Sequence, residues 1–198
     1  KWLLLKERNF TINVIQKKQR IGIVKKQDIS ENQAKVIFLA LGSNIGNRKK
    51  NLEKAKFLLN FRGIKIIKAS SYYESDSWPN KNFPKYLNIA IMCTTFLKPK
   101  ILFNVIKYVE KKLGRKNTKK NYPRICDIDI LDYDRKIVST NIDNNCLLIP
   151  HPRLHKRNFV LFPLYEISKN WIHPINKLKI SQLLSNINNK DLRTIKIT

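Results

Sequence analysis

The chain is poor in the features that would place it in several large classes. It has no apolar run near the ~20 residues that a membrane span needs, which excludes a helical transmembrane protein. Trp2-Leu3-Leu4-Leu5 falls short of the ~7 residues of a signal-peptide apolar region and lacks a small-residue cleavage site, so a cytoplasmic chain is expected. It opens on Lys1 and not on methionine, which leaves room for a missing or processed start. Cysteine is scarce: Cys93, Cys126 and Cys146 form no CxxC pair, which argues against a disulfide framework or a thiolate zinc site. They are expected to be small buried hydrophobes in a reducing compartment. Glycine is scarce too, with 5 in all, and neither a P-loop GxxxxGK[ST] nor a full GxGxxG is present. Acidic residues are few, 14 against 40 Lys and Arg, giving +26 and a pI near 10.2.

That surplus points to a polyanionic partner, either nucleic acid or a phosphorylated small molecule. The lysines are scattered and accompanied by abundant Asn and Ile, a composition that an AT-rich coding sequence imposes whatever the function. At 198 residues and 23.4 kDa, with 42% hydrophobic residues, the chain has room for one domain and an appendage. Residues 1–34, with Lys17-Lys18 and Lys25-Lys26 and no sustained period, read as a basic N-terminal extension, leaving 35–198 as the main domain.

From Val36 the pattern sharpens. Val36 to Leu41 is a continuous apolar run ended by Gly42, as in a buried strand. Asn47 can cap a helix carrying Leu52, Ala55, Leu58 and Leu59 at helical spacing, and Gly63 ends it. Ile64 to Tyr73 is β-rich, 74–85 reads as a loop with two prolines, and Tyr86 to about Phe96 reads as a strand. Pro99 suits a helix first turn, with Ile101, Leu102, Val105, Ile106, Val109 and Leu113 on one face and Gly114 as its stop. A basic loop, 115–123, precedes a strand over Ile125 to Leu131, which turns at 132–135 into a short one near Ile137. The order β-α-β-β-α-β matches an α+β, ferredoxin-like plan, an antiparallel sheet with both helices on one face and a C-terminal extension.

The strongest local feature is Arg124-Ile125-Cys126-Asp127-Ile128-Asp129-Ile130. On a strand Asp127 and Asp129 project from one face while Ile128 and Ile130 take the other. Neighbouring like charges repel, which leaves two solutions: a solvated strand face, or a divalent cation such as Mg²⁺ shared with substrate phosphates. Arg115, Lys116, Lys119, Lys120 and Arg124 lie just ahead of the pair, and Arg grips phosphate bidentately. His151, between two prolines, and Arg157 are further phosphate donors; His155 and His173 read as surface residues. Tyr86 and Phe159 are either core rings or the two sides of a heterocycle site, with Asn88 offering a donor and an acceptor. The Gly42–Asn47 segment is a weak phosphate-turn signal that also serves as a simple strand-to-helix turn.

Several segments in this order resemble the 6-hydroxymethyl-7,8-dihydropterin pyrophosphokinase family of the folate pathway. They are Leu39 to Gly46, Ser70 to Ser75, Pro84 to Asn88, Glu110 to Arg115, Pro123 to Ile130 and Ile149 to Leu164. The resemblance implies transfer of the diphosphate of ATP to the hydroxymethyl group of the pterin, with AMP released. It implies that Asp127 and Asp129 bind two Mg²⁺ ions and that Arg115 and Arg124 are catalytic. Glu110, Lys116, Ile130, His151 and Arg157 match positions around ATP, and Ser75, Asp76, Trp78, Tyr86, Asn88 and Phe159 match positions around the pterin. The 115–123 loop is expected to close over the substrates. Departures from the family pattern are Asn121, Lys116, Lys119 and Lys120 in that loop, and Ser77 and Pro79 in the earlier one. The expected partners are the two small-molecule substrates, met by a monomer without nucleic acid or membrane. The alternatives are an RNA-binding module of the RRM kind, for which no RNP1 stretch is found, and an inactive member of the same fold.

Overall fold

The computed structural model describes residues 33–115, 121–142, 145–188 and 194–198. The N-terminal extension read over 1–34 thus lies outside the described residues except for its last two. The first apolar run forms β1 (Lys35–Ser43), the centre of the main sheet. It pairs antiparallel with β4 (Tyr86–Thr95) on one side and β5 (Asp127–Tyr133) on the other. Both faces of β1 are covered, which is why its sequence is apolar without alternation. The far edge of β4 is taken in succession by β2 (Ile64–Ala69) and β3 (Tyr73–Ser75), and the two-residue β8 (Lys196–Ile197) pairs with β3. Glu74 and Ser75, expected in a loop, therefore belong to a strand.

Helices α1 (Arg48–Phe61) and α2 (Pro99–Lys112) pack on one face, where Leu52, Leu59, Leu102 and Ile106 meet Ile37, Leu39, Leu41 and Ile128. Asn47 caps α1 by accepting a hydrogen bond from the Lys50 amide at 2.9 Å. Gly114 leaves α2 with φ +94°, a conformation open to glycine at little cost. Together these elements form the ferredoxin-like β-α-β-β-α-β arrangement.

The helices are not confined to one face. The expected extension forms α3 (Asn158–Ile167) and α4 (Ile180–Ser185), which cover the opposite face through Leu161, Leu164, Ile180 and Leu183 against Phe38, Ala90 and Leu131. Neither helix announces itself: α3 contains Pro163 and is buried around most of its circumference, while α4 has 6 residues. The register of β1 against β5 shifts between Phe38 and Leu39 with Leu131 as the extra residue, so Leu131 and Asp132 both serve the second core and Tyr133 returns to the first. An RRM leaves the second sheet face open to stack bases; here a helical layer covers the part of it around Phe38, Ala90 and Leu131.

Strand β5 runs two residues further than expected. The turn falls at Asp134 (φ 52°) and Arg135 (φ 58°), both left-handed, with Lys136 N donating to Tyr133 O at 2.9 Å. It leads to a separate hairpin of β6 (Val138–Ile142) and β7 (Asn145–Ile149). On β7 Leu147 and Ile149 face inward, so the alternating Cys146 is exposed, whereas Cys93 and Cys126 are buried as expected. His173 is likewise not a surface residue. It is 4% exposed and sits edge-on to Trp171 at 5.6 Å and His155 at 6.0 Å.

Trp171 anchors this second layer by donating from Nε1 to the buried Asp132 Oδ2 at 2.8 Å, while the Arg135 amide donates to Oδ1 at 2.9 Å. Burial pushes the Asp132 carboxyl up despite both donors. Trp171→Phe is expected to leave one oxygen without its donor and to lower stability by about 1–3 kcal/mol, read as a shift of the urea midpoint. No helix among the described residues is long and apolar enough to cross a membrane.

Candidate active site

The C-terminal end of β1 and the N-terminal ends of β4 and β5 lie side by side because the three strands alternate in direction. Gly42 is paired with Asn88 on one side and Asp127 on the other, and Ala40 is paired with Asp129. Directly paired residues share a sheet face, so an amide, a glycine and a carboxylate stand in one row. A Cβ on Gly42 would come within 3.1 Å of Asn88 Oδ1 and 3.3 Å of Tyr86 Cδ1. Glycine therefore keeps the floor open between the amide and the carboxylates.

Above this floor is a cleft of about 640 Å³, in the range of small-molecule sites. Ser75, Asp76, Trp78, Tyr86, Asn88 and Phe159 line it, together with Arg115, Arg124, Asp127, Asp129, His151 and Arg157. Of the remaining anticipated positions, Ile130 points into the core shared with α1 and α2, because it alternates with Asp129. Glu110 is 1% exposed beneath the cleft wall, and Lys116 lies outside the described residues.

Each carboxylate is held by cations. Asp127 Oδ1 accepts from Arg115 Nη1 at 2.7 Å and Arg124 Nη1 at 3.3 Å. Asp129 Oδ2 accepts from Arg157 Nη1 at 3.2 Å, with His151 Nε2 at 3.8 Å. Burial alone would push Asp127 up, but Arg115, Arg124 and Lys107 outweigh it and hold the carboxyl below its usual range. Burial, reinforced by Arg157 and Arg153 against the pull of Asp129, lowers His151. The Arg153 amide donates to His151 Nδ1 at 3.1 Å, so the neutral ring carries its proton on Nε2, facing Asp129 and the cleft.

Asn88 is buried and its Nδ2 donates to Ser75 Oγ at 3.0 Å and Tyr73 O at 3.3 Å, which fixes the amide plane. Tyr86 and Phe159 are both half-buried; Phe159 also packs against the second core, with the Arg157 guanidinium 5.5 Å from its ring. Trp78 is 66% exposed on the loop above.

Several cleft residues have no counterpart in the sequence expectations. Lys81, Lys107, Arg153 and Lys156 add to its cationic wall. Asn44, which read only as part of a turn, is a buried clamp. Its Nδ2 donates to Pro84 O at 3.1 Å and Ser77 Oγ at 3.3 Å, and its Oδ1 accepts from the Arg124 amide at 2.7 Å. One side chain thus ties the turn after β1 to the loop bearing Trp78 and to the approach to Asp127. The only available signal was a polar residue between two glycines, which is equally common in solvated turns.

The two carboxylates supply hard oxygen donors on one strand face, with cations nearby to receive anionic oxygens, a donor set that suits Mg²⁺. Among the described residues no group of three or more His, Cys, Asp or Glu could hold a metal. A two-carboxylate site is the kind that Mg²⁺ completes with water and substrate phosphate.

The profile of the 7,8-dihydro-6-hydroxymethylpterin-pyrophosphokinase (HPPK) family matches residues 38–169. The 2-amino-4-hydroxy-6-hydroxymethyldihydropteridine pyrophosphokinase of Aquifex aeolicus is 40% identical over 146 residues, covering 74% of this chain and 88% of that one. The folic acid synthesis protein fol1 of Pneumocystis carinii is 36% identical over 172 residues, 87% of this chain and 22% of that protein. This chain therefore spans about a fifth of that longer relative. A crystal structure of a Plasmodium falciparum HPPK-DHPS triple mutant shares the fold with a TM-score of 0.69 at 19% identity, over 87% of this chain and 49% of that one. The chain belongs to the HPPK family, the ATP-dependent pyrophosphokinases of folate synthesis.

Proposed function

We propose that this chain transfers the β,γ-diphosphate of ATP to the hydroxymethyl oxygen of 6-hydroxymethyl-7,8-dihydropterin and releases AMP. The observation that carries the proposal is one cleft that brings a cation-flanked carboxylate pair together with Tyr86, Asn88 and Phe159. Asp127 and Asp129 are the residues to hold Mg²⁺, two ions on the family pattern; when bound, the metal neutralises phosphate charge and eases loss of the hydroxyl proton.

The chain's own groups then divide the work. Tyr86 and Phe159 take the faces of the pterin and Asn88 its edge. Arg115 and Arg124, now on Asp127, turn to the transferred diphosphate, where the positive charge of each guanidinium stabilises the spreading negative charge. His151, donating from Nε2, and Arg157 serve the nucleotide end, with Arg153 and Lys156 at the rim. The alcohol oxygen forms its bond to the β-phosphorus as the bridging bond to the α-phosphate oxygen breaks, so positioning rather than covalent chemistry is the main contribution. The same reading has the protein acting as a cytoplasmic monomer on two small molecules.

The decisive test is AMP formation from ATP with and without the pterin. Pterin-dependent AMP supports the reaction; binding of both substrates without AMP indicates an inactive relative, and binding of neither contradicts the reading. Gly42→Ala provides a finer check. The new methyl must displace Asn88 and Tyr86, so the KM for the pterin is expected to rise about tenfold, as for a ~1–2 kcal/mol packing clash, with the KM for ATP nearly unchanged.

A further inference from the structure

Glu110 is a buried carboxylate shared by three donors from different parts of the site. Its Oε1 accepts from the Ile128 amide at 2.9 Å and from Arg115 Nη1; its Oε2 accepts from Lys107 Nζ at 2.9 Å. Arg115 Nη1 also reaches Asp127 at 2.7 Å, so one guanidinium bridges two acids. We infer that Lys107 is a positioning residue for Arg115, the resident counter-ion that allows Glu110 to release Arg115 to the diphosphate. The inference rests on the pyrophosphokinase reading above.

The geometry separates the two cations. Lys107 lies one helical turn before Glu110 on α2, and its ammonium is also 5.3 Å from the Phe103 ring of the same helix. It is therefore held wholly within one rigid element. Arg115 stands beyond Gly114, outside α2 and at the head of the 115–123 segment. When Arg115 leaves, Oε1 keeps the Ile128 amide and Oε2 keeps Lys107, so the buried carboxylate retains a donor on each oxygen and one counter-ion. Without Lys107 the only cation left on Glu110 among the described residues is Arg115. A buried acid stripped of its last counter-ion is costly, so Glu110 would grip Arg115 and hold it back from the substrate. Nothing in the sequence pattern singles out Lys107, which is one lysine among many.

The test is steady-state kinetics of AMP formation by Lys107→Met and Lys107→Arg, with and without Glu110→Gln, in the full chain. Lys107→Met is expected to lower kcat about tenfold, in the range seen when outer-sphere partners are removed, with both KM values within about threefold of wild type. Lys107→Arg restores most of kcat. In the Glu110→Gln background, where no buried charge needs a counter-ion, Lys107→Met has no further effect. Should Lys107→Met fail to fold, as judged by its melting curve, Lys107→Gln takes its place in the same cycle. The inference is overturned by an unchanged kcat, by a loss confined to the KM for ATP (which would make Lys107 a nucleotide contact), or by equal losses in both backgrounds. A wild-type chain that makes no AMP overturns the parent reading instead, so the two failures are distinct.

Discussion

Asp127→Asn is expected to reduce magnesium-dependent AMP formation by roughly 10³-fold or more, as for a lost ligand to a metal that supplies several kcal/mol of transition-state stabilisation. The substitution keeps size and shape, so the β5 ladder and both cores should persist. Two effects combine at this position. The amide is a poorer oxygen donor to a divalent ion, and it no longer provides the negative charge that holds Arg115 at 2.7 Å and Arg124 at 3.3 Å. Circular dichroism matching wild type alongside lost turnover is the expected pair of results. Near-normal turnover would remove Asp127 from the catalytic centre and return the strand pair to a merely solvated face.

The second large effect concerns the aromatic rings of the cleft. Phe159→Ala should weaken pterin binding by one to two orders of magnitude, in keeping with the ~1–3 kcal/mol that an aromatic platform contributes under a flat heterocycle. The affinity for an ATP analogue should change by less than about threefold, because the substitution removes no charge or hydrogen-bonding group, and the Arg157 guanidinium 5.5 Å from the ring keeps its bond to Asp129. Some loss of melting temperature is also expected, since Phe159 packs partly against the second core. Separate titrations of the two ligands resolve the matter: equal losses for both would assign the ring to the core alone.

How much of this could be read from residue order depends on the kind of signal. The carboxylate pair was legible because strand alternation alone places Asp127 and Asp129 together and sends Ile128 to the opposite core. The two long helices were legible from caps, stops and an apolar stripe. The second helical layer was not, because Pro163 and nearly all-round burial erase the periodicity of α3, and the 6 residues of α4 are too few to establish one. His173 and Cys146 went opposite ways for tertiary reasons: the unforeseen layer buries the first, and the outer face of an unforeseen hairpin exposes the second. Within the site, Asn44 and Gly42 act through distances of 2.7–3.3 Å to side chains and backbone some 40 positions away or more, and no local pattern carries such information. Ile130 shows the converse. The resemblance matches it to a position around ATP, and the same alternation that exposes Asp129 turns its side chain into the core, leaving its backbone as the part that can meet a ligand.

The pairing of Asp127 with two arginines and of Asp129 with Arg157 has a consequence for ligand binding. A nucleotide carrying Mg²⁺ exchanges these internal ion pairs for metal–carboxylate and cation–phosphate pairs together, whereas a nucleotide alone must compete with Asp127 and Asp129 for the same arginines. Calorimetric titration of the full chain with a non-hydrolysable ATP analogue, with magnesium and then with a chelator in its place, measures this directly. The affinity is predicted to be at least tenfold higher with magnesium, about 1.4 kcal/mol or more. Equal affinities in the two titrations would contradict the assignment of Asp127 and Asp129 as the metal-holding pair.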